Sequence, residues 1–382
     1  MRSTFRGAAI ESQLRNIALA NRAERMGRMK DGEVMDLFAT MGTYGYGEVH
    51  VRRDAASGLR AIVAIHDTRL GPSLGGCRFI HYADESSAFT DALRLARGMT
   101  YKAAITGLAH GGGKSVLIRP AGDFDRTALF TAFGKFVNDL AGRYITAEDS
   151  GTSLEDMETI RSQTKFVTGI DPKHGGSGDP SPYTALGVRR GIEATVKHAL
   201  GRDSLDGITI AVQGVGHVGY YLCKEVAKLG AKLIVSDIDA TRTKRVADEF
   251  GATVVPNEQI FSVQCDVFAP CALGAIINDT TIPQLKARIV AGAANNQLAE
   301  PRHGVALFER NITYAPDYAI NAGGLVNVAQ EVVGYNVDIV HTRTMRIYDT
   351  ILEIVERGAR EKTPSDRIAD RMAEERLAKV SG

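Results

Sequence analysis

The sequence predicts an α/β protein of two domains, the second built on a doubly wound parallel sheet. The chain has 382 residues, which is enough for two domains of ordinary size. Short apolar strands alternate with amphipathic helices along most of the chain, as they do in α/β proteins. In the second half, a strand over 208–213 is followed at once by a glycine-rich turn and a helix. This order is typical of a Rossmann-type unit.

The composition excludes several classes of partner. Lysine and arginine number 46 against 45 aspartates and glutamates, and a net charge of +1 gives no reason to expect nucleic acid. No apolar run is long enough to span a membrane. The cysteines have no Cys-x-x-Cys spacing, so they predict reduced thiols of a cytoplasmic protein and no metal site. They are Cys77, Cys223, Cys265 and Cys271.

A basic segment, residues 1–31, precedes the first predicted element. Up to Lys30 its arginines and lysines far outnumber its acids, which are Glu11 and Glu24. The arginine bias resembles that of a transit peptide, whereas the apolar core of a secretory signal is missing. A solvated helical extension accounts for the same composition, and it is the interpretation that we favour.

The first domain is predicted over residues 32–180, with short strands between longer helices. Its helices are predicted over 32–41, 84–98 and 126–140, and its strands over 48–52, 59–66, 77–82 and 115–118, with a further strand from Tyr144. Gly58 is expected in the turn that joins the first two strands. A stretch rich in Gly, Ser, Pro and Asp over 171–182 marks the boundary with the second domain.

Two lysines in the first domain are candidates for chemistry. Gly111, Gly112 and Gly113 lead directly to Lys114, and Lys102 lies 12 residues before it. Glycines allow positive φ and a close approach of backbone to a ligand, which suits a cleft. Two ammonium groups in one buried pocket lower each other's pKa, so one of them can act as a general base near neutral pH. Ordinary surface lysines beside a tight turn explain the same spacing.

A candidate carboxylate follows the strand that begins at Tyr144. Glu148 and Asp149 stand at the end of this strand, just before a Ser-Gly turn. Carboxylates in such a position can point into a cleft. Asp149 or the serine after it could instead cap a helix that begins near Ser153, and the local sequence by itself favours the cap.

The second domain, residues 181–340, is predicted to bind a dinucleotide. Its turn has the pattern Gly-x-Gly-x-x-Gly between a strand and a helix, and the next strand ends at Asp237. The first glycine makes the tight turn, the second lets pyrophosphate reach the helix N-terminus, and the third lets helix and strand pack. The turn consists of Gly214, Val215, Gly216, His217, Val218 and Gly219.

Asp237 bears on the choice of dinucleotide. It lies 18 residues after the last glycine of the turn, where an acid accepts hydrogen bonds from the adenosine ribose and repels a 2′-phosphate. We therefore expect NAD rather than NADP as the cofactor. Arg242 and Lys244 are close by in the sequence, and their positive charge works against this preference.

The rest of the second half continues the alternation of strands and helices. Further strands are predicted over 267–269, 288–291 and 312–314. Each runs into a turn of small residues, and in a doubly wound sheet such turns border the cofactor crevice. Charged amphipathic helices follow over 348–360 and 364–379. We expect the segment 341–382 to return to the first domain or to contact another subunit, although a solvated tail fits almost as well.

Several separate motifs occur in a fixed order along the chain. They are Leu70-Gly71-Pro72 with Gly75-Gly76, Met99-Thr100-Tyr101-Lys102, Gly111-Gly112-Gly113-Lys114, Thr146-Ala147-Glu148-Asp149, the glycine pattern, Ala294-Asn295-Asn296 and Asn321-Ala322-Gly323-Gly324. With them the chain resembles the amino-acid dehydrogenases of the glutamate, leucine, phenylalanine and valine family, above all the branch acting on leucine. The resemblance extends from about Thr43 to Lys379. It implies reversible, NAD-dependent oxidative deamination of an amino acid to a 2-oxo acid and ammonia, in a homo-oligomer.

The resemblance also assigns roles to individual residues. It implies that Lys114 activates water, that Asp149 exchanges protons with the reacting amino group, and that Lys102 holds the substrate carboxylate. It further implies that Thr184 touches the nicotinamide amide and Asn295 the nicotinamide ribose. The remaining implied contacts are those of substrate with Gly76 and Asn296 and of cofactor with Ala272.

By the same resemblance, an apolar pocket receives the substrate side chain. It excludes glutamate, because a buried carboxylate without a cation is costly. Ala147 favours a branched aliphatic chain, since relatives specific for phenylalanine often have glycine there. Leu325 points the other way, because the leucine branch usually has valine. We expect leucine, valine and isoleucine, with an aromatic amino acid as the alternative. The implied pocket residues are Leu74, Ala147, Leu325 and Val328.

A second class of function is a regulator that senses NAD or an amino acid and has lost catalysis. Loss of Lys114 or Asp149 would favour it, and both are present. The sequence departs from the family pattern in its longer basic segment before residue 32 and in Arg119-Pro120, where the family often has Asp-Pro. Neither departure concerns the reacting groups.

Overall fold

The computed structural model describes residues 36–380, so the basic extension predicted over 1–31 lies outside the described residues. Within the described part, the chain forms one sheet of five strands and one of six. Helices connect the strands in both sheets. The two-domain α/β fold predicted from the sequence is confirmed.

The first sheet is mixed. Its strands are β1 (Glu48–Asp54), β2 (Leu59–Asp67), β3 (Ser73–Ile80), β4 (Gly111–Ile118) and β5 (Tyr144–Glu148), in the order β1-β2-β4-β3-β5. The helices of this part are α1 (Leu37–Tyr44), α2 (Glu85–Ile105), α3 (Arg126–Asp139) and α4 (Leu154–Arg161). The pairs β1–β2 and β2–β4 are antiparallel, whereas β3 runs parallel to both β4 and β5. The predicted hairpin is confirmed, with Gly58 in its turn at a φ of 76°.

The glycine run before Lys114 lies inside β4 and not in a loop. The expected positive φ is wrong, because none of the three glycines adopts it. A Cβ on Gly112 would overlap Thr100 of α2, and one on Gly113 would come within 2.7 Å of the Tyr144 ring. The glycines therefore let helix α2 and the Tyr144 side chain of β5 pack closely on the strand that carries the lysine. The strand predicted over 115–118 begins earlier, at Gly111. The prediction omits the glycines because glycine is usually a turn residue.

Helix α2 is longer than predicted. Asp84 caps its N-terminus as expected, accepting a hydrogen bond of 2.7 Å from the Ser87 N–H. Gly98 predicts the end of the helix, yet the helix continues to Ile105. A glycine inside a helix costs only about 1 kcal/mol relative to alanine, which the buried face of a long helix easily offsets. The additional turns carry Lys102.

The second sheet is wholly parallel. Its strands are β6 (Thr209–Gln213), β7 (Lys232–Ser236), β8 (Thr253–Val254), β9 (Val267–Pro270), β10 (Ile289–Val290) and β11 (Thr313–Tyr314), in the order β11-β10-β9-β6-β7-β8. All five pairings are parallel within the described residues. The strand order reverses between β6 and β9, so the crevice of a doubly wound sheet opens there, beside the glycine turn.

The helices of the second half include five that the sequence pattern did not predict, α7 to α11. The set is α5 (Ser181–Leu200), α6 (His217–Ala227), α7 (Ala240–Phe250), α8 (Arg302–Glu309), α9 (Asp317–Ile320), α10 (Gly323–Glu331), α11 (Val337–Met345), α12 (Ile347–Glu361) and α13 (Ser365–Val380). Several are short, and α10 begins with two glycines, so their local signal is weak. None of the helices found between residues 36 and 380 has the length and apolar character to cross a membrane.

The last helix, α13, packs against α2 of the first half. Arg376 donates hydrogen bonds to the carbonyls of Ala104 at 2.9 Å and of the next residue at 2.7 Å. The Tyr101 hydroxyl donates to Glu374 at 2.8 Å. This packing fixes the last turn of α2, where Lys102 lies.

Candidate active site

Lys114 is buried in the middle of the first sheet, with only 6% of its side chain exposed. Cys77 of β3 pairs with Ser115, the residue after Lys114. Gly76, the residue before Cys77, pairs with Ala147 of β5. Lys114, Gly76 and Ala147 therefore lie side by side across three parallel strands. The lysine predicted to be catalytic has a fixed place on a strand.

The surroundings of Lys114 favour its neutral form. Burial first, and then the Arg78 guanidinium, lowers the pKa of Lys114 to about 7. Lys102 lowers it further, whereas Asp91 opposes the shift. A lysine with this pKa can accept a proton near neutral pH, as a general base must.

Asp149 follows β5 directly, and its Oδ2 forms an ion pair with the Lys114 ammonium. The Ser150 N–H donates to Oδ1 at 2.5 Å. A Cβ on Gly76 would come within 2.7 Å of the Asp149 Cβ. Glycine at position 76 therefore makes the room in which the carboxylate meets the lysine.

The interpretation of Asp149 as a helix cap is wrong. Ser153 caps α4, and its side chain accepts a hydrogen bond from the Asp156 N–H in a capping box. The Asp149 N–H donates to Thr152 Oγ1 at 2.8 Å, which fixes the turn and leaves the carboxylate directed at Lys114.

Arg78 and Asp91 complete this charge network, and sequence reasoning missed both. The Arg78 guanidinium lies 2.8 Å from Asp91 Oδ2 and 3.9 Å from Asp149 Oδ1. The Tyr82 hydroxyl donates to Asp91 at 2.6 Å. The charges of four residues thus alternate in sign, each side chain being next to the following one: Lys114, Asp149, Arg78 and Asp91. The two-residue period of a strand could have found Arg78 in the sequence. Arg78 is two residues from Gly76 and therefore lies on the same face of β3.

Lys102 lies in the last turn of α2, close to the second half of the chain. Burial lowers its pKa to about 8, and Asp317 at the start of α9 works against that shift. The Asp317 carboxylate accepts hydrogen bonds from the N–H groups of Gln297 at 2.8 Å and Tyr318 at 2.6 Å. Lys102 therefore carries a positive charge between the two sheets, where it can meet an anion.

The four residues implied for the side-chain pocket lie on both sides of the cleft. Leu74 of β3 and Leu325 of α10 belong to one buried apolar cluster, and Val328 packs against it. Ala147 is 6% exposed and lies on β5, two residues before Asp149. The structure thus brings apolar side chains from both domains next to the charged groups.

The glycine turn fits a dinucleotide phosphate. Gly214 has a φ of 89°, and a Cβ there would come within 2.6 Å of the Ala272 Cβ. A Cβ on Gly219 would overlap the carbonyl of Gly214. Gly216 differs, because a Cβ there would meet only the Arg242 guanidinium, at 3.8 Å. Open space therefore adjoins the N-terminus of α6, where a phosphate is favoured.

Asp237 is fixed at the end of β7 against the same turn. Its Oδ2 accepts a hydrogen bond from the Val215 N–H at 2.8 Å, and its Oδ1 accepts one from the Asp239 N–H at 2.9 Å. Only 7% of the side chain is exposed. The carboxylate therefore has a set position where the adenosine ribose is expected.

Of the residues implied for the nicotinamide end, Thr184 lies in α5 and Asn295 follows β10, and Asn296, which is implied for the substrate, is next to Asn295. The Asn321 amide donates to Asn295 Oδ1 at 2.8 Å. Asn296 has a φ of 50°, a conformation that asparagine tolerates better than most residues. The Thr184 hydroxyl in the first turn of α5 donates to the Pro180 carbonyl at 3.1 Å. The side chains of Thr184 and Asn295 are thus held in place by the protein itself.

The cysteines and acids offer no metal site in the described part of the chain. All four cysteines are free thiols. No three His, Cys, Asp or Glu side chains between residues 36 and 380 are grouped so as to hold a metal ion.

The fold and the site together define a dinucleotide-dependent dehydrogenase. A family profile described as "Glu/Leu/Phe/Val dehydrogenase, dimerisation domain" matches residues 46–166. One described as "Glutamate/Leucine/Phenylalanine/Valine dehydrogenase" matches 175–242 and 235–362. The chain belongs to the glutamate, leucine, phenylalanine and valine dehydrogenase family, whose members are NAD(P)-dependent.

Individual relatives agree with this assignment. The chain is 54% identical over 343 residues to the leucine dehydrogenase of Geobacillus stearothermophilus, covering 90% of this chain and 94% of that one. The crystal structure of L-tryptophan dehydrogenase from Nostoc punctiforme is similar with a TM-score of 0.80 and 42% identity, over 90% of this chain and 99% of that one. The hetero-hexameric glutamate dehydrogenase of Thermus thermophilus shares the fold, with a TM-score of 0.73 and 20% identity over 92% and 98% of the two chains.

Proposed function

We propose that the chain catalyses the reversible, NAD-dependent oxidative deamination of apolar L-amino acids, with leucine, valine and isoleucine preferred. The observation that carries the proposal is the ion pair between buried Lys114 and Asp149, whose side chain is 19% exposed, with the second cation Lys102 near enough to lower the pKa of Lys114. A base, a proton carrier and a cation for a carboxylate are the groups that this reaction needs.

The substrate is bound by charge at one end and by apolar contact at the other. Lys102 holds the carboxylate, since its ammonium is buried and lies between the domains. Leu74 and Leu325 receive the side chain. Such an arrangement places the substrate Cα beside Lys114 and Asp149.

The chain's own groups handle the protons of the reaction. The chemistry that NAD supplies, when bound, is acceptance of the hydride that leaves the substrate Cα. Neutral Lys114 takes a proton from the water that attacks the resulting imine carbon. Lys114 hands that proton to Asp149, which passes it to the amino group of the carbinolamine. Lys114, neutral again, then takes the carbinolamine hydroxyl proton as the C–N bond breaks, so that ammonia leaves and the carbon becomes the 2-oxo group. The ion pair between the two residues makes this transfer direct.

Turnover at saturating leucine and NAD is expected to depend on pH through Lys114. Below its pKa of about 7 the lysine is protonated and cannot accept a proton, so turnover falls by about tenfold per pH unit. Above that pKa the lysine is neutral and turnover levels off. A pH profile of kcat checks this, and a kcat that is flat across the neutral range would contradict it.

NAD is proposed as the preferred cofactor because Asp237 is fixed against the glycine turn. We expect Asp237→Ser to raise the ratio of kcat/KM for NADP to kcat/KM for NAD, since the change removes the repulsion of a 2′-phosphate. Steady-state kinetics with both cofactors measure the ratio. An unchanged ratio would show that the ribose lies elsewhere.

The balance between aliphatic and aromatic substrates is proposed to depend on Ala147. We expect Ala147→Gly to raise activity toward phenylalanine relative to leucine, because the change removes a methyl group from the pocket. A group of this size is worth about 1–3 kcal/mol, so phenylalanine should be about one to two orders of magnitude slower in the unchanged protein. Kinetics with both amino acids on both proteins provide the test.

An aromatic preference is the second candidate function. Leu325 in the pocket and the similarity to a protein named L-tryptophan dehydrogenase favour it. A panel of amino acids with NAD, followed through the absorbance of reduced nicotinamide, decides between the two. Faster turnover of phenylalanine or tryptophan than of leucine would overturn the aliphatic proposal.

We also propose that the protein is a cytoplasmic homo-oligomer. The description of the first family profile as a dimerisation domain supports the assembly of several copies of the chain. In the proposed division, residues 32–180 bind substrate and contact other subunits, 181–340 bind NAD, and 341–382 return to the first domain. The contacts of α13 with α2 support that return.

A further inference from the structure

Arg242 reaches the glycine turn from the first turn of α7. Its Nη1 lies 4.0 Å from Asp237 Oδ1 and its Nε lies 3.3 Å from Asp239 Oδ2. The same guanidinium is the group nearest to the place where a Cβ on Gly216 would stand. Arg242 is therefore next to both the expected ribose position and the expected phosphate position.

The contacts of Arg242 leave its guanidinium available to a ligand. A charge-assisted hydrogen bond has a length of about 2.7–2.9 Å, and both of its ion-pair contacts are longer than that. The side chain is 54% exposed. Arg245 contrasts with it, because Arg245 bonds Glu249 at 2.8 Å and stacks on the Tyr220 ring.

A cavity of about 440 Å³ opens beside the turn. Arg242 and Arg245 line it together with Val215, Gly216 and His217, and Asp179 is also in the lining. The two guanidinium groups outnumber this carboxylate, and because the Arg245 guanidinium already bonds Glu249, Arg242 is the cation that is available to attract a phosphate. The cavity is thus large and positive enough for an anionic group at the adenosine end of a dinucleotide.

The repulsion expected from Asp237 is also weakened. Both of its oxygens accept backbone N–H groups, and Arg242 lies beside one of them. Hydrogen bonds and a nearby cation spread and offset the charge of a carboxylate. An acid that selects NAD and an arginine that accommodates NADP are ordinarily alternatives, and this chain has both.

We propose that Arg242 forms a subsite for the 2′-phosphate of NADP, so that the chain binds NADP(H) as well as NAD(H) and discriminates only moderately between them. The inference rests on the proposed dinucleotide site. It adds that the attraction between the Arg242 guanidinium and the phosphate dianion determines how strongly the protein prefers NAD over NADP.

Binding titrations test this without any turnover. We expect Arg242→Ala to weaken NADPH binding by about tenfold, a modest figure because the side chain is half exposed. NADH binding should change by no more than about twofold, since NADH has no 2′-phosphate. Lys244→Ala is the matched control, because Lys244 is on the same helix, has the same charge and pairs with Asp248 away from the cavity. It should leave both affinities almost unchanged.

A second titration isolates the phosphate. Adenosine 2′,5′-bisphosphate should bind the unchanged protein more tightly than AMP does, and Arg242→Ala should remove that difference. If NADH binds while adenosine 2′,5′-bisphosphate binds no better than AMP, the subsite is overturned and the dinucleotide site stands. Equal weakening of NADH and NADPH by Arg242→Ala would also overturn it. If neither dinucleotide binds, the proposed function itself fails.

Discussion

Replacing Lys114 with alanine is expected to lower the rate of leucine deamination by about four orders of magnitude or more while NADH binding is kept. General acid–base catalysis alone contributes about 10²–10⁴, and the change also removes the buried cation that pairs with Asp149. NADH binding should persist because Lys114 lies on β4, whereas the glycine turn lies in the second sheet. Steady-state turnover and a fluorescence titration with NADH measure the two effects.

Lys135→Ala is the control for this loss. Lys135 is an exposed lysine on α3 of the same domain, so its removal should leave turnover nearly unchanged. Thermal unfolding of both variants shows whether each is folded. A folded Lys114→Ala protein with a tenth of normal activity would exclude Lys114 as the base.

Replacing Asp149 with asparagine is expected to lower turnover by about 10²–10⁴, the range for loss of a proton-transferring group. Asparagine keeps the shape beside Gly76 but cannot carry a proton. The change also removes the anion next to Lys114, which destabilises the ammonium form. The pKa of Lys114 should therefore fall further, and the acid limb of the kcat profile should move to lower pH.

Asp139→Asn is the control for the second change. Asp139 is an exposed acid in the same domain that pairs with Arg52, and its replacement should leave both the rate and the pH limb in place. An Asp149→Asn protein with near-normal turnover and an unmoved acid limb would show that Asp149 takes no part in the proton transfer.

The second domain could be predicted well because its signals are local. A strand, a glycine pattern, a helix and a second strand ending in Asp237 follow one another within 30 residues, from 208 to 237. Gly214 and Gly219 have close neighbours and Gly216 adjoins open space, as their places in the pattern imply. The short helices α8 to α10 could not be found this way, since tertiary packing rather than propensity stabilises helices of that length.

The first domain shows what a local pattern cannot determine. The glycines before Lys114 are strand residues because Thr100 and Tyr144 pack on them, and both contacts come from distant parts of the chain. Asp149 has the local sequence of a cap, yet Gly76 and Lys114 determine its place. Arg78 was missed for the same reason, because its partner Asp91 is on a different element. The strand end made Asp149 a candidate, but only the resemblance to a family favoured it as a reacting group over a helix cap.

The products formed from leucine and NAD test the central claim most directly. The claim is that the Lys114–Asp149 pair completes hydrolysis of the imine, so that ammonia, the 2-oxo acid 4-methyl-2-oxopentanoate and NADH appear together. Timed samples from one reaction, analysed for all three compounds, should contain them in equal amounts. Protein that binds NADH but forms none of the three from leucine, or that forms NADH without ammonia, would contradict the account.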